Sequence, residues 1–209
     1  MKAKKMIYMI VGIILIGICV ASYRLAVFGV DPFTCMNLGI SGFIGMSFGN
    51  WQLIMNIAIL IVAYFTVRHC IELGTVVNMV GVGYIADFIC WIVNDQLGIT
   101  MTLPLRIVLL AIGMLFASLG VAMYMTADLG IAPYDSVAFI IQKLSRNKVS
   151  FRIGRILSDV TVMIVGIVFC LLAGNKIWTV VGIGTVINAV CNGPLIQLFR
   201  TRFEKTLNN

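Results

Sequence analysis

Two polar pairs stand at matching places in this chain, each spaced to share one face of a helix. Gln52 and Asn56 lie four residues apart, as do Arg155 and Asp159, and the pairs are 103 residues apart in a register that also matches Ser47-Phe48 to Ser150-Phe151. Inside an apolar segment such side chains are costly and ordinarily face a bundle interior or a water-filled cavity, so they are candidates for holding a solute or a coupling ion. The competing reading makes Arg155 and Asp159 a salt bridge that only anchors a helix end. Asn78 and Asn188 form a third matched pair, closing Gly-Thr-Val-x-Asn segments at 74–78 and 184–188. Small residues there let helices approach closely, and packing is the commoner use of such a motif. Asp87 has no basic neighbour in sequence, which leaves a proton or cation site open beside a pairing with Arg24 or Arg106.

The elements that must position these residues are apolar and duplicated. Of 209 residues, 61% are hydrophobic and 11% charged, and the mean hydropathy of +1.06 marks an integral membrane protein whose first partner is the lipid bilayer. Six apolar segments are long enough to read as spans: 6–28, 51–67, 73–93, 106–126, 156–172 and 178–199. Gly12, Val20, Ala21, Tyr23, Ala26, Gly29 and Pro32 recur 101 residues later as Gly113, Val121, Ala122, Tyr124, Ala127, Gly130 and Pro133. The chain therefore reads as one membrane domain over 1–209, with repeats at 7–100 and 105–199 and a polar tail at 200–209. With the N-terminus in the cytoplasm, every Lys and Arg except Arg24, Arg106 and Lys176 falls inside, as the positive-inside rule favours. Three spans per copy then make the repeats inverted, with both termini cytoplasmic. The expected fold is all-α, six transmembrane helices in two inverted three-helix repeats.

Each copy also holds a break. Gly29, Pro32 and Phe33 match Gly130, Pro133 and Tyr134, and proline suits a helix start while ending the preceding span. The short helices that follow, the second over 134–144, read as re-entrant or as lying flat at the interface; the sequence leaves both open. Gly29 and Gly130 should need backbone freedom, and Gly12, in a regular span, should tolerate replacement better. Tyr23, Tyr124, Phe33 and Tyr134 cluster at the breaks, as interfacial anchors or as rings that stack on a solute. Arg24, Asp31, Asp128 and Asp135 flank the breaks, but their counterparts are Met125, Ala132, Val27 and Thr34, so the two vestibules are chemically unequal.

Several function classes find no support. The six cysteines show no CxxC spacing and His69 is the only histidine, so neither a metal site nor a cofactor is expected. The net charge of +7 is a topology signal rather than a nucleic-acid footprint, because the basic residues sit at span ends. No nucleophile and base pattern marks an enzyme.

The duplicated Gly-x-x-Pro-[Phe/Tyr] break, followed by Gly-Thr-Val-[Val/Ile]-Asn, resembles the YczE/YitT group of small bacterial membrane proteins, and the YczE-like branch in particular. The resemblance covers about residues 12–198 and implies a multi-span protein of the bacterial plasma membrane; it implies no catalytic residues and no substrate. From the residues themselves, the expected function is a secondary transporter or exporter of a small-molecule solute bound between the repeats. Helix starts at Pro32 and Pro133, with Arg155 nearby, favour an organic anion or zwitterion. The alternative is a non-catalytic scaffold or accessory subunit, with a small-residue face at Gly113, Ala117 and Gly120 packing on another protein. A homo-oligomer is left open.

Overall fold

The computed structural model describes residues 2–208, and side chains other than those at 2, 152, 179, 189–194, 207 and 208. Its elements are α1 (Lys2–Ala26), α2 (Pro32–Ile44), α3 (Phe48–Thr66), α4 (Leu73–Trp91), α5 (Leu103–Ala127), α6 (Pro133–Leu144), α7 (Phe151–Leu172) and α8 (Ile183–Asn208). Single 3₁₀ turns precede α4 and α8, and a π-helical turn over Ile92–Gln96 prolongs α4. Polar caps set several starts: Asp31 accepts the Thr34 N–H at 3.0 Å, Ser47 that of Asn50 and Ser150 that of Ile153.

Five helices among the described residues are long and apolar enough to cross a membrane: Ala3–Ala26, Phe48–Thr66, Leu73–Gln96, Leu103–Ala127 and Ile153–Leu172. The segment expected at 178–199 begins its helix only at Ile183, and α8 continues through the polar tail to Asn208. Part of its apolar stretch, including Cys191, lies outside the described side chains. The outward faces of α3 and α7 are strongly apolar, with Ile54, Ile57, Ile61, Phe65, Ile156, Ile164 and Leu171 all exposed, as suits a surface bathed in lipid.

Each short helix is packed into the bundle. α2 buries Phe33 through Asn37 together with Gly39, Ile40 and Ser41, and its Gly39 lies directly on Gly166 of α7. α6 packs between α3 and α7. Both are short and bury one face against the longer helices.

The breaks explain why the two copies interlock. Ending a helix inside a packed bundle strands backbone groups that must find partners. In the first break the Val30 N–H donates to Val180 O at 3.1 Å, Phe28 O accepts the Gly184 N–H at 2.7 Å, and Val30 O accepts the Thr185 hydroxyl at 2.9 Å. In the second, the Ile131 N–H donates to Cys70 O at 3.1 Å, Leu129 O accepts the Gly74 N–H at 2.8 Å, and Ile131 O accepts the Thr75 hydroxyl at 2.7 Å. Each break is thus closed by the threonine-bearing helix start of the other copy. Backbone conformation repeats too: Val27 and Asp128 have φ of 57° and 51°, Gly29 and Gly130 of 96° and 98°.

A methyl group added at Gly29 would collide with Gly182 N and Thr185 Oγ1, and one at Gly130 would lie 2.6 Å from Thr75 Oγ1. Gly45 and Gly174 also have positive φ, but nothing lies within 4 Å of an added Cβ. Gly29→Ala and Gly130→Ala should therefore lower the thermal unfolding temperature far more than Gly45→Ala or Gly174→Ala, which carry only a backbone cost of about 1–2 kcal/mol. Equal shifts would show that the breaks are not closely packed. The expectation for Gly12 is corrected: a Cβ there would stand 2.8 Å from both Gly120 O and Tyr124 N. It lies in a close backbone crossing of α1 with α5, so Gly12→Leu should be as damaging as the break variants.

Candidate functional site

The two breaks bring their aromatic residues face to face. Phe33 and Tyr134, second residues of α2 and α6, stack with ring centroids 4.4 Å apart and planes 15° apart. Beside them is a cavity of about 200 Å³. Its walls come from both copies in matching positions: Ile16 with Ala117, Val20 with Val121, Tyr23 with Tyr124, Asp31 with Ala132, Thr34 with Asp135, Gln52 with Arg155, and Asn78 with Asn188. Cys19, Asn56 and Val82 complete it. This is less room than the roughly 300–1,000 Å³ of drug-sized pockets, so the space suits a compact solute.

The polar lining is incompletely satisfied. Tyr23 is 1% exposed, Tyr124 4%, Gln52 6% and Asn188 7%, yet the Tyr23 and Tyr124 hydroxyls, Gln52 Oε1 and Asn188 Oδ1 have no hydrogen-bond partner among the described residues. Leaving a buried polar group unpaired costs about 1–3 kcal/mol, so such a cluster is retained where water or a ligand completes it. Gln52 Oε1 sits against the backbone of Gly83, 3.0 Å from where a Cβ would stand. Asp31 also lines the cavity. One carboxylate oxygen caps α2 through Thr34 N–H, and no Lys or Arg nitrogen lies within ion-pair distance of Asp31 among the described residues.

Arg155 marks one wall. Its guanidinium pairs with Asp135 through Nη1 and with Asp159 Oδ2 through Nε at 3.3 Å, and it lies over the Tyr134 ring at 4.9 Å. The Tyr134 hydroxyl donates to Asp159 Oδ1 at 2.6 Å, so Asp159 stands behind Arg155 and orients both it and the stacked ring. Beyond this wall a larger cavity of about 630 Å³ is lined by His69, Glu72, Gly130 and Arg200. The two cavities share Val121, Tyr124, Asp135 and Arg155. The ion network therefore divides a central chamber from a vestibule at the end of the bundle that carries His69 and Arg200.

Of the residues singled out in sequence, Gln52, Asn56, Asn78, Asn188, Arg155, Phe33 and Tyr134 line the central cavity, which draws Asn78 and Asn188 out of a purely packing role. Asp159 reaches it only through its partners. Asp87 is elsewhere: it accepts from Arg24 Nη1 at 2.7 Å and from the Gly49 N–H at 2.6 Å, tying α1 and α3 to α4. Pro32 and Pro133 start α2 and α6. Asp31, Asp135 and Thr34 were missed as cavity residues; the signal was Asp31 immediately before a helix-starting proline, a capping position. Tyr23 and Tyr124, expected first as interfacial anchors, are among the most buried side chains. The face offered for another protein is already occupied, since Gly113 meets Tyr23 and Gly120 meets Gly12 and Ile16. Among the described residues no three His, Cys, Asp or Glu side chains group so as to hold a metal.

The relatives of the chain include one described as a membrane protein. It is 25% identical to uncharacterized protein YyaS of Bacillus subtilis (strain 168) over 203 residues, covering 96% of this chain and 94% of that protein. It is 23% identical to uncharacterized membrane protein YczE of the same organism over 180 residues, 86% of this chain and 77% of the relative. A Haemophilus influenzae (strain ATCC 51907 / DSM 11121 / KW20 / Rd) protein shares 28% identity over 171 residues, 82% of this chain and 72% of its own length. No solved structure matches. The similarity to YczE agrees with the resemblance carried by the breaks, and since a family model covers residues 3–201, the chain belongs to the family of unknown function DUF6198.

Proposed function

We propose that this protein is a small secondary transporter of a compact polar solute, built as six spans in two inverted three-helix repeats, with its binding site between the copies. The observation that carries this reading is the central cavity, walled by matching residues of both copies and holding unpartnered buried polar atoms. Broken helices meeting at a cavity are the arrangement in which non-helical backbone is tolerated at membrane depth. The vestibule gives one route to the site, and exchange of access between the two ends would follow from rocking one copy against the other. A bare anion loses favour as the cargo: the helix starts that would attract it carry Asp31 and Asp135 of their own, and Arg155 is shared by two carboxylates. A zwitterion or a cation remains.

The test is flux into proteoliposomes of a panel of small labelled solutes, with Asn188→Leu as control. Uptake of at least one solute is expected, falling about tenfold or more in Asn188→Leu while the variant stays monodisperse. An inert wild-type chain across the panel would overturn the proposal. Topology has its own test. On a cysteine-free background, an impermeant thiol reagent outside sealed cells should label cysteines placed at 95 and 176 and spare those at 68 and 146. Labelling at 146 would rule out the inverted arrangement.

A further inference from the structure

The lining of the central cavity has a definite chemical bias. Asp31 brings a carboxylate that makes no ion pair among the described residues, Arg155 acting on it only from beyond pairing distance, and Asn188 brings an amide oxygen that accepts nothing. Both are acceptors, and both call for a donor from the ligand. The remaining charges in the wall, Asp135 and Arg155, neutralise one another, and Asp159 adds a further negative charge behind them. The sum is negative on the ligand's side. Rings complete the picture: Tyr23, Tyr124, Phe33 and Tyr134 all line the same small space, and aromatic faces attract a desolvated cation.

We infer that the cavity binds the ammonium group of a small amine, with Asp31 as its counter-charge, Asn188 Oδ1 as a further acceptor and the tyrosine hydroxyls completing the shell. This rests on the cavity being a solute site, as proposed above, and adds which end of the solute it grips. The ligand is then an organic cation or the ammonium end of a zwitterion. A carboxylate at a helix start ordinarily interacts with backbone N–H groups alone; here the capping oxygen is Oδ1, bonded to Thr34 N at 3.0 Å, and the same side chain faces the chamber. Asp31→Asn keeps a good cap and removes the charge, so fold and binding can be separated.

The experiment uses the full chain in lipid nanodiscs, in an amine-free phosphate buffer at neutral pH and matched ionic strength. Methylammonium, ethanolamine, choline and glycine are compared with ethylene glycol and acetate, by calorimetric titration and by the shift of the unfolding temperature. At least one amine should bind and stabilise the chain and acetate should do neither, and Asp31→Asn should weaken that amine about tenfold or more. Binding of acetate in preference to every amine overturns the inference, as does equal amine binding in Asp31→Asn, or no binding by any amine. If Asp31→Asn fails to fold, the preference of the wild-type chain for amine over glycol and acetate decides alone. Flux separates the two readings. An amine that binds through Asp31 but is never moved leaves the ammonium site standing and sinks the transporter. A non-cationic solute whose flux needs Asn188 and ignores Asp31 does the reverse.

Discussion

Asp87→Ala is expected to destabilise the purified chain by about 3 kcal/mol, more than a change at any cavity-lining residue. The Arg24 and Asp87 side chains are only 18% and 23% exposed, and the carboxylate serves two elements at once, pairing with Arg24 of α1 and accepting the Gly49 N–H at the start of α3. Removing it strands a cation and a backbone donor together; truncating one partner of a buried pair typically costs about 3–5 kcal/mol, and the residual exposure places this one at the lower end. Arg24 also lies over the Phe48 ring at 4.6 Å, so it cannot swing out to water without losing that contact. Asp87→Asn still accepts from Gly49 and should cost about half as much. Arg24→Met combined with Asp87→Ala should cost less than the sum of the single changes, as a coupled pair requires. Thermal and chemical unfolding of the wild type, Asp87→Ala, Asp87→Asn, Arg24→Met and the double variant measure this. Were Asp87 instead the proton or cation site left open by its sequence context, Asp87→Asn would keep full stability and change flux with pH.

The second large effect concerns Arg155. Arg155→Gln should destabilise by about 2 kcal/mol, because Asp135 and Asp159 are left facing each other without their common cation. The figure is held below that of a fully buried pair, since these side chains are 30–45% exposed and cavity water screens them. Copying the first repeat needs more than the i, i+4 pair visible in the sequence. Arg155→Gln with Asp159→Asn reproduces Gln52 and Asn56 but abandons Asp135, whose counterpart is Thr34. The triple change with Asp135→Thr should bring stability back to within about 0.5 kcal/mol of wild type, the double change standing between it and the single. Flux should not return with it. The network forms the wall between chamber and vestibule, so the triple variant should fold and transport about tenfold less, or more weakly still. Full flux in the triple variant would mean that the charges serve only to hold α6 against α7.

Much of the framework was written locally. A Gly-x-x-Pro motif needs no tertiary information to end one helix and start another, because a residue with φ near +96° favours glycine and proline supplies a fixed φ at N1. Hydropathy likewise marks spans wherever they end up, and the recurrence of Tyr23 as Tyr124 or Asn78 as Asn188 survives any rearrangement of the helices. Gln52, Asn56 and Arg155 were identifiable as candidates because polar groups in apolar helices stand out by cost alone.

Which of those residues meet was not written there. Phe33 finds Tyr134, Arg155 finds Asp135, and the break of each copy is closed by Thr185 or Thr75 of the other; these are pairings across one hundred residues or more, or between separate helices. The packing of α2 and α6 on α7, of α1 on α5, and of α4 on α1 and α8 on α5 sets them. The same packing took Asp87 out of the solute site by giving it Arg24, filled the small-residue face of α5 with α1, and made Gly12 a close contact rather than an ordinary helical position. The charge of the chamber was decided there as well. Asp31 faces the cavity unpaired while Arg155 is spent on two carboxylates, a balance no linear spacing contains, because the energy of a charge depends on its neighbours in space and not on its place in the chain.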